Sequence, residues 1–266
     1  AGLGGAFACA MSGSAFRLIR VGEDAPAELL DLSPVLTEAA AVSVGQGTAP
    51  PTVVIRRQRP YALLGPRDRR LPQLDAGIAV LQAAGLPVFE RISGGSAVIL
   101  DEGCVSFGVA CPCHDFTLIQ RNFVQLTEGV RRGLKHLGLD ARFGEAPGSF
   151  CPGPFDLVVD RRKVAGVAQA MRGGFALVSG MVLVSQDPVP VTDLLNRFYA
   201  AAGGAPNLVP DGVAPLTRLL GRDLHVAEVE DALVRGFADV YTLSPASLTV
   251  EERQRAAVLL QTRRIG

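Results

Sequence analysis

The chain has 266 residues, and its 26 basic and 26 acidic side chains cancel to a formal net charge of zero, so no global field draws it to nucleic acid or an anionic membrane. Hydrophobic residues make up 48% and charged residues 20%, the balance of a soluble globular protein long enough for one large α/β domain or a domain with a small appendage. Charges, Gly or Pro interrupt every apolar run before it reaches the roughly 20 residues of a membrane span.

The opening AGLGGAFACA has no positive n-region and no long apolar core, which predicts that it is not a signal peptide. Met11-Ser-Gly-Ser14 marks residues 1–10 as an upstream extension outside the fold. Five cysteines without a framework spacing predict reduced thiols and a cytoplasmic location. Only Lys135 and Lys163 are lysines among the basic residues. A GC-rich genome explains the arginine bias but not the two lysines that persist. Lysine, unlike arginine, can lose its proton when desolvated.

In chain order, apolar residues at helical spacing (Leu29, Leu30, Leu32, Leu36, Ala39, Ala40) predict a helix over 27–44, stopped by Gly45 and Gly47 and barred by Pro50-Pro51. The β-branched Thr52-Val-Val-Ile55 reads as a strand. A second helix covers 72–84, and strands follow at 88–92, 97–100 and 105–110, with Asp101-Glu-Gly103 as a hairpin turn between the last two. A long helix spans 116–137. Strands return at 155–159, 163–169 and 176–184, with Asp160-Arg-Arg162 as a tight turn. Helices then dominate at 191–202, 214–220, 226–237 and 250–263. Two bursts of strands around one long helix predict an α+β fold rather than repeating βαβ units. A mild boundary at Asp187-Pro-Val-Pro190 separates a core over 12–188 from a helical C-terminal segment over 189–266 packed on it, one domain overall.

Three segments carry chemistry. Arg91-Ile-Ser-Gly-Gly-Ser-Ala-Val98 holds two adjacent glycines, which let the backbone approach a ligand or simply make a turn. Gly148-Ser-Phe-Cys-Pro-Gly-Pro154 sets Cys151 on a stiff loop, as a reactive or a spectator thiol. Asp160-Arg-Arg-Lys-Val-Ala-Gly-Val-Ala-Gln169 holds Lys163 beside small residues, as a functional or a solvated lysine. Cys111-Pro-Cys113-His114 begins like a zinc site, but no partnering pair follows at ligand spacing, so no metal is expected.

Together, Arg-x-Ser-Gly-Gly-x-Ala-Val with a following acid, and Lys-Val-Ala-Gly-x-Ala-Gln, resemble the signature of the lipoate–protein ligase/octanoyltransferase superfamily, which includes the biotin protein ligases. The likeness runs from about Val53 to Val184. Gly-Ser-Phe-Cys-Pro-Gly before Phe-Asp-Leu is similar to the branch that moves octanoyl groups from the glycine-cleavage H protein to other proteins. The resemblance implies a mixed, largely antiparallel sheet flanked by helices. It makes Cys151 the nucleophile, with Lys163 lowering its pKa and moving protons. Arg91, Ser93, Gly94, Gly95, Ser96, Ala97, Gly166 and Gln169 would bind substrate, the amides of Gly94, Gly95 and Gly166 either lining the pocket or stabilising the oxyanion. A long acyl chain implies a narrow apolar tunnel, lined by Val88, Ile92, Val98 and Val105 or their neighbours.

Ser96, Leu100 and Phe155 stand where ligases carry a glycine, a histidine and an asparagine, which speaks against adenylate binding. The expected function is therefore transfer of an octanoyl or lipoyl group, through a Cys thioester, to a lysine of a lipoyl-accepting protein. The expected partners are lipoyl domains and glycine-cleavage H protein or acyl carrier protein. No tightly bound cofactor is expected; ATP and magnesium enter only if the chain is a lipoate ligase, and a non-catalytic acyl-binding protein is the third alternative. Arg121, Arg131, Arg132 and Lys135 form a basic helix face able to meet an acidic lipoyl domain.

Overall fold

The computed structural model describes residues 13–205 and 207–266, so the expected extension over residues 1–10 lies outside the described residues. In chain order the elements are β1 (Ala15–Val21), α1 (Ala27–Asp31), α2 (Ser33–Gly45), β2 (Thr52–Arg56), β3 (Tyr61–Leu64), α3 (Leu74–Ala83), β4 (Val88–Glu90), β5 (Val98–Leu100) and β6 (Cys104–Pro112). They continue with α4 (Ile119–His136), β7 (Arg142–Phe143), β8 (Leu157–Val159), β9 (Arg162–Arg172), β10 (Phe175–Leu183), α5 (Pro188–Ala201), α6 (Leu216–Leu220), α7 (Val226–Ala238), β11 (Thr242–Ala246) and α8 (Val250–Arg263).

Among the described residues the main sheet has eight strands in the order β11-β1-β2-β6-β10-β9-β8-β7, and a second has three in the order β4-β3-β5. In the main sheet only β11–β1 and β1–β2 run parallel; the pairs from β2 to β7 are antiparallel. The fold is α+β, with the mixed, largely antiparallel sheet that was expected.

Alternation along the strands divides the core into two faces. Val53, Ile55, Val105, Val109 and Val178 point to one side, where Leu126, Val130 and Leu134 of α4 and Val229, Leu233 and Phe237 of α7 cover them. These helices touch through glycine: a Cβ on Gly236 would stand 2.2 Å from the Gly129 carbonyl oxygen. The opposite face receives α2, whose Val35, Leu36 and Ala39 pack with Val54 and Ile19. A Cβ on Gly108 would meet the Thr37 methyl at 1.9 Å, which sets how closely α2 lies on the sheet. The small sheet, α3 and α5 form a third cluster around Leu64, Leu81, Phe150 and Phe198.

Several expectations need correction. The helix expected over 27–44 is two helices that meet at Leu32, because Pro34 opens the second and fits a first helical turn. Asp101–Gly103 turns the chain, but not into a hairpin: β5 pairs with β3, and β6 joins the main sheet. The C-terminal segment is not purely helical, since β11 adds an edge strand beside β1. Strands β1 and β3 were not expected. Two-residue turn Asp160-Arg161 has φ values of 47° and 64°, the left-handed pair that a tight hairpin with right-twisted strands requires.

Candidate active site

Cys151 sits on the loop between β7 and β8, and its own φ is 47°, a left-handed conformation that strains a non-glycine residue. Packing holds it there. Phe150 is 1% exposed, Ser149 Oγ donates to the Ala146 carbonyl at 2.8 Å, and the Val209 amide donates to the Gly148 carbonyl at 2.9 Å. The sulfur is thereby turned toward the glycine loop after β4.

That loop grips the sulfur from the other side. The Ser96 backbone N–H donates to Cys151 Sγ at 3.2 Å, and Arg91 Nη2 lies 3.3 Å from it. Arg91 also donates to the carbonyls of Ser96 at 2.6 Å and Gly94 at 3.1 Å, so one guanidinium both shapes the loop and touches the thiol. Gly95 has φ of 107°, and a Cβ there would stand 2.5 Å from the sulfur; only glycine lets the backbone pass this close. Behind the loop, the Ala97 N–H donates to Tyr199 Oη at 3.0 Å, and Tyr199 donates in turn to Asp68 Oδ1 at 3.1 Å. Burial and the Asp68 carboxyl push the Tyr199 phenol upward, while burial also raises Asp68. The C-terminal helix α5 thus braces the loop that faces the nucleophile.

Lys163, at the start of β9, is buried to 1% exposure. Its Nζ donates to the carbonyls of Phe150 at 3.0 Å and Cys151 at 2.8 Å, and pairs with Asp156 Oδ2 at 2.9 Å. Three acceptors match the three N–H groups of an ammonium. Asp156 further accepts from Gly153 N–H at 2.9 Å and Val167 N–H at 3.0 Å, tying the Cys151 loop to β9. Burial raises the Asp156 carboxyl, against the pull of Lys163 and these amides. For Cys151, burial is the largest single influence and acts upward; Arg91, Lys163 and Ser96 together outweigh it and leave the thiol below its ordinary value.

Cys151 lies on the wall between two cavities. The inner slot, about 790 Å³ with its mouth, runs under the small sheet and is also lined by Arg91, Ser93, Asp156, Lys163 and Gly166. The outer groove, about 1050 Å³ with its open side, is lined by Gly94, Gly95, Phe116, Phe155, Gln169 and Met171, among others. Of the residues expected at the site, Ser96 and Ala97 line neither cavity: Ser96 reaches the sulfur through its amide, and Ala97 is fully buried and bonded to Tyr199. The Gly94 amide is taken by the Gln169 carbonyl at 3.2 Å, which corrects its role as an oxyanion donor. Among the described residues both side-chain amide atoms of Gln169 lack a partner. Ile92 and Val98 line the slot, whereas Val88 packs within the small sheet's core and Val105 faces α4 and α7. Alternation turns them away.

Asp156, Tyr199 and Asp68 were missed. Asp156 carried one signal, a carboxylate just beyond the cysteine loop and seven residues before the solitary lysine; the other two lie far along the chain from the residues they support. Cys111, near the end of β6, and Cys113, just beyond it, pack in the core, and among the described residues no group of three or more His, Cys, Asp or Glu could hold a metal ion. On α4, Arg131 and Arg132 are both engaged by Glu128, while Arg121 and Lys135 are exposed. Among the described residues no helix is long and apolar enough to cross a membrane.

Residues 33–238 match the lipoyl protein ligase A/B catalytic domain, and the chain is a member of that family. The match extends beyond the span expected from the motifs on both sides. The chain is 33% identical to the octanoyl-[GcvH]:protein N-octanoyltransferase of Bacillus velezensis, over 82% of this chain and 79% of that one. It is 30% identical to the lipoyl-[GcvH]:protein N-lipoyltransferase of Listeria monocytogenes, over 69% of each. Lipoate-protein ligase A solved with ATP superimposes with a TM-score of 0.72 at 25% identity, covering 94% of both chains.

Proposed function

We propose that this chain moves a medium-chain acyl group, octanoyl or lipoyl, from one lipoyl-type carrier protein to a lysine of another through a thioester at Cys151. The observation that carries this reading is the placement of one sulfur, between two cations and a backbone amide, on the wall shared by an inner slot and an open groove. The names of the transferases from Bacillus velezensis and Listeria monocytogenes support it.

In the first step the Cys151 thiolate attacks the acyl carbonyl of the donor. The C–S bond forms, the amide C–N bond to the donor lysine breaks, and the leaving amine takes up a proton. In the second, a neutral lysine amine of the acceptor attacks the thioester; C–N forms, C–S breaks, the sulfur leaves as thiolate, and the proton lost by the nitrogen passes to water in the open groove, which also supplies the proton taken up by the leaving amine in the first step. Arg91, with Nη2 3.3 Å from the sulfur, is the cation placed to stabilise the tetrahedral oxyanion, while Lys163, its three N–H groups taken by Phe150, Cys151 and Asp156, holds the loop and lends its charge from behind. The inner slot receives the acyl chain, and the outer groove admits the two protein partners in turn, with the exposed Phe116 and Ile119 at its rim. Glycine-cleavage H protein fits the donor role and a lipoyl domain the acceptor role. One amide replaces another, so no ATP is consumed.

The test mixes octanoylated H protein, this chain and an unmodified lipoyl domain without nucleotide, and weighs the lipoyl domain by mass spectrometry. A gain of one octanoyl group is expected. A strict need for ATP and free acid identifies a ligase instead.

A further inference from the structure

On the wall of the outer groove stands a side-chain amide that the fold leaves unused. Both amide atoms of the Gln169 side chain are shut off from solvent and, among the described residues, neither has a partner. The backbone carbonyl of the same residue is engaged, accepting from the Gly94 N–H at 3.2 Å. Asn122 Oδ1, Gln125 Oε1, Thr127 Oγ1 and Thr192 Oγ1 are also without partners, but none of those residues lines the slot or the groove, whereas Gln169 does. A buried amide that makes no hydrogen bond destabilises the fold, and on a cavity wall it marks a group whose partner arrives with a ligand.

Register sets Gln169 opposite Val178, so it points to the face of the main sheet that α4 covers, between Val167 and Met171 on the same groove wall. The glycine loop crosses to this strand through the Gly94 N–H. One residue further on, a Cβ at Gly95 would stand 2.5 Å from Cys151 Sγ, and one at Gly94 would meet nothing within 4 Å, so open space lies beside Gln169 toward the sulfur. These links hold the Gln169 carbonyl within about 11 Å of the sulfur. In attack the acyl carbon comes about 3 Å from the sulfur with its amide nitrogen attached. A hydrogen bond of about 3 Å and the length of a glutamine side chain cover the rest. Gln169 is half-buried as a whole, and rotation about its side-chain bonds brings the amide into the groove with the backbone fixed.

We propose that Gln169 binds the lysine nitrogen of the substrate. Its Oε1 accepts from the N–H of the amide that links the acyl group to the donor lysine, and afterwards from the attacking amine of the acceptor. This rests on the reading of the groove as the path of both carrier proteins. The nitrogen gains positive charge as it is protonated to leave, or as it bonds to carbon in the second step, so the hydrogen bond strengthens in the transition state. No proton passes to Gln169. A thioester donor has sulfur where this N–H would be and gains nothing from the residue, which therefore favours amide-linked over thioester-linked acyl groups.

The test follows acylation of Cys151 in the full chain by mass spectrometry at short times, with saturating octanoylated H protein or octanoyl-N-acetylcysteamine as donor. The unmutated chain is compared with Gln169→Met. The ratio of the amide-donor rate to the thioester-donor rate is expected to fall about 10-fold in the variant. Its unfolding midpoint in denaturant should hold or rise, because two orphaned polar atoms are gone. A fall in the ratio of less than about 3-fold, or a lower midpoint, overturns the proposal. An unmutated chain that takes no octanoyl group from H protein overturns the transferase reading itself, a separate outcome.

Discussion

Lys163 Nζ donates to the carbonyl oxygen of Cys151 at 2.8 Å, so the lysine fixes the backbone of the nucleophile as well as contributing charge beside it. Asp156 closes the arrangement by pairing with Nζ at 2.9 Å and capping the loop at Gly153. Replacing Lys163 with Met leaves a carboxyl buried at 1% exposure without its cation, a change that costs about 3–5 kcal/mol. The double variant Lys163→Met, Asp156→Leu should recover much of that stability in denaturant titrations and none of the acyl transfer. A double variant as unstable as the single one would show that the pair does not act as a unit.

The charge around the sulfur predicts a pH dependence. A thiol held below its ordinary value becomes thiolate at lower pH, so alkylation of Cys151 by iodoacetamide should reach half its maximal rate at a lower pH than alkylation of the same loop as a free peptide. Arg91→Gln removes the cation that contributes most to this lowering, and the inflection should move upward. An unchanged inflection would remove Arg91 from the account.

Glycine 95 offers a steric test. A Cβ there meets the sulfur at 2.5 Å in a backbone with φ of 107°, whereas one at Gly94 meets nothing within 4 Å. Gly95→Ala should abolish acylation of Cys151, while Gly94→Ala should retain it within roughly 3-fold. The comparison is made on initial rates of adduct formation, with circular dichroism to establish that both variants fold.

Tyr199 acts through the loop rather than on substrate. Tyr199→Phe leaves the Ala97 N–H without its acceptor and Asp68 without its donor, a loss of about 1–3 kcal/mol in stability. If the phenol positions the Ser96 amide, the variant should also lower kcat about 10-fold with little change in KM and raise the inflection of the Cys151 alkylation profile. A loss of stability with an unaltered pH profile would reduce Tyr199 to packing.

The sequence made local features readable and long-range ones obscure. The helix over 250–263 is bounded as its spacing predicts, with Thr249 and Glu252 forming the capping box, and the turn at Asp160-Arg161 is a tight hairpin as expected. These depend on neighbours in the chain. Strand β1 was missed because Arg17 and Arg20 interrupt its apolar residues; Arg17 is tolerated in the interior only because Glu252, 235 residues away, meets it. Asp101–Gly103 has the composition of a hairpin turn, and which sheet each flanking strand joins is decided by tertiary pairing. At the site, Cys151, Lys163 and the glycine loop each read alone as a spectator thiol, a solvated lysine or a plain turn; their joint likeness to a family signature singled them out, and the fold brings them together. Asp156 carried only its position between the cysteine loop and Lys163, and Asp68 and Tyr199 carry no local mark: they matter through hydrogen bonds closed only when the small sheet and α5 have packed.

The most direct test is to incubate the chain with an octanoyl thioester donor, quench in acid and locate the added mass by peptide fragmentation. The account predicts one octanoyl group on Cys151, released by neutral hydroxylamine, passed to a lipoyl-domain lysine when that acceptor is added, and missing in Cys151→Ala. Transfer at an undiminished rate by Cys151→Ala, or an octanoyl group found on another residue on the way, would contradict it.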